Sequence, residues 1–253
     1  MDSQIADYLL TLNHEFYQKF GEAFARTRQR VQPGVRRLLP RIAHEAAILD
    51  LGCGNGNLAH ALLGAGHRGP YVGLDFSASL LAARGDLPPT FRFLQIDLAH
   101  EDWSSRALQA LASLTASTSP PLFNIVTAFA VLHHLPGADL RLNLLRKAHN
   151  VLAEDGLLLH SEWQFLNSPK LTARIQPWSR AGLRADQVES GDYLLDWRAN
   201  GQGLRYVHHF TEEELRALAN ASGFTVLETF LSDGHNGRLG LYQVWRKCPS
   251  PAP

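Results

Sequence analysis

The residues of this chain best suited to chemistry stand in one stretch, Ile48-Leu49-Asp50-Leu51-Gly52-Cys53-Gly54-Asn55-Gly56. Glycines after an apolar run let the backbone approach a ligand where a Cβ would obstruct it. Read alone, they are also what a tight β-to-α turn needs. The phosphate-binding fingerprint runs Gly-x-Gly-x-x-Gly and faces pyrophosphate with a helix N-terminus. Here Asp50 stands two residues before the first glycine. A carboxylate there repels phosphate and suits the ammonium of an amino-acid ligand, which speaks against a nicotinamide dehydrogenase. Asp75 closes the run Pro70 to Asp75 and can accept from both hydroxyls of a ribose; capping a helix is its plainer use. Asp97 ends the run Phe91 to Asp97 and can accept from an adenine amino group, with Leu98 against the ring.

Two histidine pairs follow, His133-His134 and His208-His209. Without cysteines or a carboxylate at ligand spacing they read as pocket histidines or general bases rather than metal ligands. Residues 24–44 hold Arg26, Arg28, Arg30, Arg36, Arg37 and Arg41 and no acidic residue. This is either a phosphate-contacting patch or a solvated helix face. Trp163 and Trp197 are candidates for an apolar pocket wall, with core packing as the alternative.

These residues need elements to position them. Apolar residues at Ile5, Leu9, Leu12, Phe16, Phe20 and Phe24 mark one face of a helix over residues 3–29. A second short helix covers 35–42. From Ala46 onward apolar strands alternate with helical stretches: strands end at Gly52, Asp75, Asp97, His133 and Trp163, and helices cover about 57–63 and 139–152. Ser77 is a natural N-cap. The rhythm implies βαβ units and a parallel sheet, and ligands bind at the carboxyl ends of such strands. Residues 164–205 show no clean strand pattern and read as an insertion or lid. Thr211, followed by three glutamates, caps a helix, and 223–232 with 240–247 read as a closing hairpin.

The 253 residues suffice for one large core. Lys plus Arg (24) balance Asp plus Glu (24), so no global charge directs the chain to nucleic acid. The two cysteines, Cys53 and Cys248, form no disulfide framework, and a cytoplasmic setting is expected. No signal-peptide pattern or membrane-length apolar run is read.

The segments ILDLGCGNG, GLD with a following Phe76-Ser77, a strand ending QIDL, and AVLHHL before a helix together resemble the class I S-adenosylmethionine-dependent methyltransferases over residues 46–163. The resemblance implies an α/β fold, a doubly wound seven-stranded mostly parallel sheet, with an N-terminal helical cap (1–45), the cofactor-binding core (46–163), an insertion (164–205) and closing elements (206–247), all one domain over 1–253. It implies S-adenosylmethionine as cofactor, with Asp50, Gly52, Gly54, Asn55 and Gly56 at the methionine part. Asp75 would take the ribose and Asp97 with Leu98 the adenine; Phe76, Ser77 and Ala130 are carried over as further cofactor contacts.

A narrower resemblance rests on Phe24-Ala25-Arg26-Thr27-Arg28, on Ala130 to His134, and on Arg205-Tyr206-Val207-His208-His209-Phe210. These are similar to the methyltransferases that esterify the carboxymethyl group of modified wobble uridines in tRNA. The resemblance implies Arg28 as an active-site cation, His133 as a pocket residue, Arg205, Tyr206 and His208 on the substrate side, and a small activator subunit. A carboxylate acceptor would need Arg28 or Arg205 to hold it and no base; a hydroxyl or amine would need His133 or His208. Two alternatives stay open: a small-molecule O- or N-methyltransferase acting on an acid or natural product, and a non-catalytic cofactor-binding or partner protein.

Overall fold

The computed structural model describes residues 1–27, 30–115, 121–198 and 203–249, and for residues 22–27 the backbone alone. α1 (Ser3–Thr27) and α2 (Pro33–Leu38) precede β1 (Ile48–Leu51), α3 (Asn57–Gly64), β2 (Tyr71–Asp75), α4 (Ala78–Ala82) and β3 (Phe91–Gln95). α5 (Trp103–Leu114), β4 (Phe123–Phe129), α6 (Ala138–Val151) and β5 (Leu152–Trp163) follow. Then come α7 (Pro169–Thr172), β6 (Ile175–Gln176), β7 (Asp192–Trp197) and β8 (Gly203–His208), and the chain closes with α8 (Glu212–Ala221), β9 (Phe224–Ser232) and β10 (Gly240–Lys247).

Seven strands form one sheet in the order β3-β2-β1-β4-β5-β10-β9. The first five are parallel, and β10 runs antiparallel between β5 and β9. Every residue of β1 and β2 is buried, as expected of parallel strands covered on both faces, which read as continuous apolar runs. The chain steps outward from β1 to β3 and then returns to β4 on the other side of β1. The crevice opens at that reversal, above the carboxyl ends of the strands. Among the described residues no helix is long and apolar enough to cross a membrane.

Two elements differ from the sequence expectation. α5 has no counterpart in the sequence reading, which assigns no element between Asp97 and the strand that leads to His133. It is fixed by Asp102, whose side chain accepts from the Ser105 N–H at 3.4 Å, and by a buried face of Trp103, Ala107, Ala110 and Leu111. The insertion, expected to be irregular, carries a second antiparallel sheet in the order β6-β7-β8. Leu194 and Leu195 are adjacent and both buried, so β7 lacks the alternation that marks a half-exposed strand. One side of this sheet packs through Tyr206 on Leu9 of α1, and the other packs Leu195 and Val207 on Phe165. Asn13 of α1 pairs with β8 as a neighbouring strand would: its Oδ1 accepts from the Tyr206 N–H at 2.9 Å and its Nδ2 donates to the Tyr206 carbonyl at 3.2 Å. The α1 helix is thereby bolted over the crevice.

Candidate active site

The cleft at the strand ends encloses about 350 Å³. Its first wall grows from the turn after β1. Gly52, Gly54 and Gly56 all take left-handed backbone conformations, φ 68°, 55° and 74°. A Cβ on Gly52 would stand 2.7 Å from Val131 Cγ2, whereas one on Gly54 would meet no protein atom within 4 Å. Gly52 is therefore required by packing and φ together, and Gly54 by φ at a place where the loop borders open space. Asn55 lines the same wall.

Asp50 lies at the base of this wall. Its carboxylate accepts from the Tyr71 hydroxyl at 2.5 Å and the Thr127 hydroxyl at 2.6 Å. Burial pushes it up to about 6, against the pull of those two hydroxyls. Among the described residues no cationic side chain pairs with it, so a buried carboxylate borders the cleft without a counter-charge. Such a group is costly until a cation reaches it, which fits the ammonium of an amino-acid ligand.

Asp75 closes β2. One oxygen accepts from the Gly54 N–H at 2.8 Å and the other from the Ser77 N–H at 2.8 Å. Each oxygen keeps a further lone pair for a ligand hydroxyl. Burial raises the Asp75 carboxyl, opposed by these two backbone donors. Ser77 caps α4, its Oγ accepting from the Leu80 N–H at 3.3 Å. Leu98 lines the next stretch, and Asp97 there accepts from the Ala99 N–H at 2.9 Å and meets His14 Nε2 at 3.4 Å. His14 also stacks on Phe76, ring centroids 4.4 Å apart. Ala130 holds a left-handed φ of 60° at the end of β4, anchored by its N–H to the Ser161 carbonyl at 2.9 Å. Strain of this kind collects at functional sites.

The residues expected on the substrate side are placed differently. Arg28 lies outside the described residues. His133, expected in the pocket, is buried and does not line it: its backbone N–H and its Nδ1 both meet Glu162 Oε2, at 3.1 and 3.0 Å. Its neighbour His134 lines the cleft instead, with Nε2 2.9 Å from the Tyr17 hydroxyl. Arg205 and His208 also stand outside the lining. The Arg205 guanidinium lies over the Trp163 ring at 4.6 Å and the Phe16 ring at 5.4 Å. His208 joins a buried network in which Nδ1 meets Asp192 at 2.7 Å and Nε2 meets Glu214 at 2.9 Å. Tyr206 donates to the same Asp192 at 2.7 Å, and Arg141 donates to Glu189 at 2.6 Å while lying 3.9 Å from Glu214. The capping glutamate of α8 is thus drawn toward His208 and Arg141. Trp163 borders the cleft, whereas Trp197 packs on Phe16 and Phe20.

Sequence reading passed over His14, Tyr17 and Glu162, which all line the cleft. The first two were seen only as members of a helical stretch. Glu162, a carboxylate within the apolar run GLLLHSEW, carried a signal in its type alone. In the arginine-rich stretch, Arg37 and Arg41 both grip Glu228, the former at 2.8 Å. Arg30 is the one Lys or Arg among the described residues that lines the cleft.

A family model described as a methyltransferase domain matches residues 23–229. The chain belongs to this family. A protein named as a methyltransferase from Encephalitozoon cuniculi (strain GB-M1) is 28% identical over 228 residues, 85% of this chain and 88% of that one. The trans-aconitate 2-methyltransferase of Acidovorax ebreus (strain TPSY) is 37% identical over 103 residues, 40% of this chain and 36% of that one. Among solved structures, Burkholderia thailandensis 1,6-didemethyltoxoflavin-N1-methyltransferase, bound to 1,6-didemethyltoxoflavin and S-adenosylhomocysteine, superposes with a TM-score of 0.60 at 20% identity, covering 98% of this chain and 91% of that one. The protein is an S-adenosylmethionine-dependent methyltransferase of the class I fold.

Proposed function

We propose that this methyltransferase acts on a carboxylate oxygen of a small organic acid. The observation that carries the reading is Arg30, a guanidinium at the cleft that can hold a carboxylate through paired N–H donors. The similarity to a trans-aconitate 2-methyltransferase over 103 residues supports it. A tRNA wobble-uridine carboxylate, with a small activator subunit, is the second acceptor of the same chemistry. Against it stand Arg37 and Arg41, which are engaged by Glu228 rather than presented together to a phosphate backbone.

Bound there, S-adenosylmethionine would supply a methyl group activated by its sulfonium, which a carboxylate oxygen can accept as the neutral thioether leaves. In this reading Asp50 would meet the ammonium, Asp75 the ribose hydroxyls, and Asp97 with Leu98 and Phe76 the adenine; Gly52, Gly54, Asn55, Gly56, Ser77 and Ala130 shape the backbone around them. A carboxylate is already nucleophilic and gives up no proton, which accords with His133 and His208 standing outside the lining. Arg205 would act through Trp163, bracing the ring at the acceptor end. The chain's task is alignment and exclusion of water by α1.

The test is transfer of labelled methyl to a panel of small di- and tricarboxylates, trans-aconitate first, and to bulk tRNA. The expected result is a base-labile ester on an acid, insensitive to salt. Arg30→Gln should raise the KM for that acid about tenfold, a loss of ~1.4 kcal/mol, and leave S-adenosylhomocysteine affinity unchanged. Label appearing only in tRNA, falling steeply with salt, overturns the small-acid reading.

A further inference from the structure

At the end of the cleft away from Asp75 and Asp97, the last residues of β5 bring Glu162 to the wall. Its side chain is buried between two imidazoles. His133 Nδ1 lies 3.0 Å from one oxygen and His160 Nδ1 3.2 Å from the other. Among the described residues no Lys or Arg reaches ion-pairing distance of Glu162. Burial pulls the His160 imidazole down to about 3, so it brings no positive charge. His133 Nδ1 accepts the Trp163 backbone N–H at 3.4 Å. An Nδ1 that accepts there carries no hydrogen, and in that tautomer the proton of the His133–Glu162 contact sits on the carboxyl group.

We propose that Glu162 faces the acceptor end of the cleft as a neutral carboxylic acid and thereby admits an anionic acceptor. The selection step rests on the carboxylate-acceptor reading above. Were Glu162 ionised, an entering carboxylate would meet a like charge in a poorly solvated pocket, and part of the attraction of Arg30 would be cancelled. Burial also pushes the Glu162 carboxyl well above the usual carboxylate range, opposed by the His133 N–H and by Arg141 and reinforced by Glu214. The titratable and charged groups that face it are His133 from the turn after β4, His160 from β5 itself, Arg141 from α6 and Glu214 from α8. The two histidines are in contact; the other two act at longer range.

Glu162→Gln keeps the shape of the protonated side chain, and infrared difference spectroscopy of wild type against this variant reads the proton directly. The expected spectrum at neutral pH contains the C=O stretch of a carboxylic acid, which disappears on alkaline titration. The carboxyl ¹³C resonance of labelled wild-type protein gives the same answer without any variant. Alongside, the KM of wild type for its accepted acid should rise by up to about tenfold per pH unit above that titration, because only the protonated fraction is competent; in Glu162→Gln it should stay flat. A carboxylate signal at neutral pH overturns the Glu162 assignment and leaves the acceptor reading intact. A carboxylic-acid signal in a protein that methylates no acid overturns the acceptor reading and, with it, the selection step.

Discussion

The two halves of the cleft are built by opposite means. On the side of β1 to β3, backbone does much of the holding, although Asp50 leans on the Tyr71 and Thr127 hydroxyls. Asp75 takes the N–H of Gly54 and of Ser77, and three left-handed glycines set the loop. On the side of β5 and the insertion, side chains hold side chains: Glu162 with His133 and His160, and Arg141, Glu189 and Glu214 with His208, Asp192 and Tyr206. A backbone-held site tolerates little change in its few key residues. A side-chain-held one can be rebuilt for another acceptor while the fold stays, which suits an enzyme half that must change with its substrate.

The sharpest way to break the comparison is Asp75→Ala. It removes a carboxylate that accepts two backbone N–H groups and leaves the Gly54 amide without its partner. With charged hydrogen bonds contributing ~1.5–3 kcal/mol, calorimetry should show S-adenosylmethionine affinity falling about 100-fold. An unchanged affinity would mean that the loop, not the carboxylate, defines this half.

A smaller effect follows from Asp50. Its carboxyl titrates near 6 because it is buried, so below that pH it is protonated and offers no charge to an ammonium. Cofactor affinity should therefore rise with pH up to about 6 and level off above it, by at most about tenfold per unit. Asp50→Asn should flatten the profile. A wild-type profile already flat from about one pH unit below that titration to about one unit above it would remove Asp50 from ammonium binding.

The smallest effect belongs to the other half. Burial pulls the His208 imidazole down, but its hydrogen bonds to Asp192 and Glu214 outweigh burial and hold it above its ordinary value of 6.5. A group whose folded value is raised contributes fully below the unfolded value and loses that contribution as pH rises through the folded one. Thermal unfolding followed from pH 6.5 upward should show the wild-type Tm falling toward that of His208→Gln, by on the order of 2–4 °C. Parallel curves would show that the network holds without the imidazole's charge.

The same division explains what could be read in advance. Asp50, Gly52, Gly54, Asp75 and Asp97 were legible because each sits at or just after a strand end within a short local pattern; the parallel sheet followed from the alternation of those strands, and its seven-stranded form from the family resemblance. His14 and Tyr17 of α1, His134 after β4 and Glu162 of β5 come together from three distant segments; no local pattern announces such meetings. His133 illustrates the limit: the dipeptide His133-His134 marks the right turn, but which ring faces the cleft is decided by Glu162, nearly thirty residues away. The β7 strand was hidden for a related reason, since a strand buried on both faces loses its period.

The order of the sheet bears on how the molecule is assembled during synthesis. β10 follows both β5 and β9 in the chain, yet it lies between them in the sheet. Until residues 240–247 leave the ribosome, β9 has no partner in the sheet and the outer edge of β5 stays open, although β1 to β5 can already pair. Domains tend to form from the N-terminus as they emerge, so the nascent chain can hold the turns after β1 and β2 in place while the β5 side of the cleft is unfinished. During that interval the exposed β5 edge is a template for stray strand pairing, and β10 is what seals it.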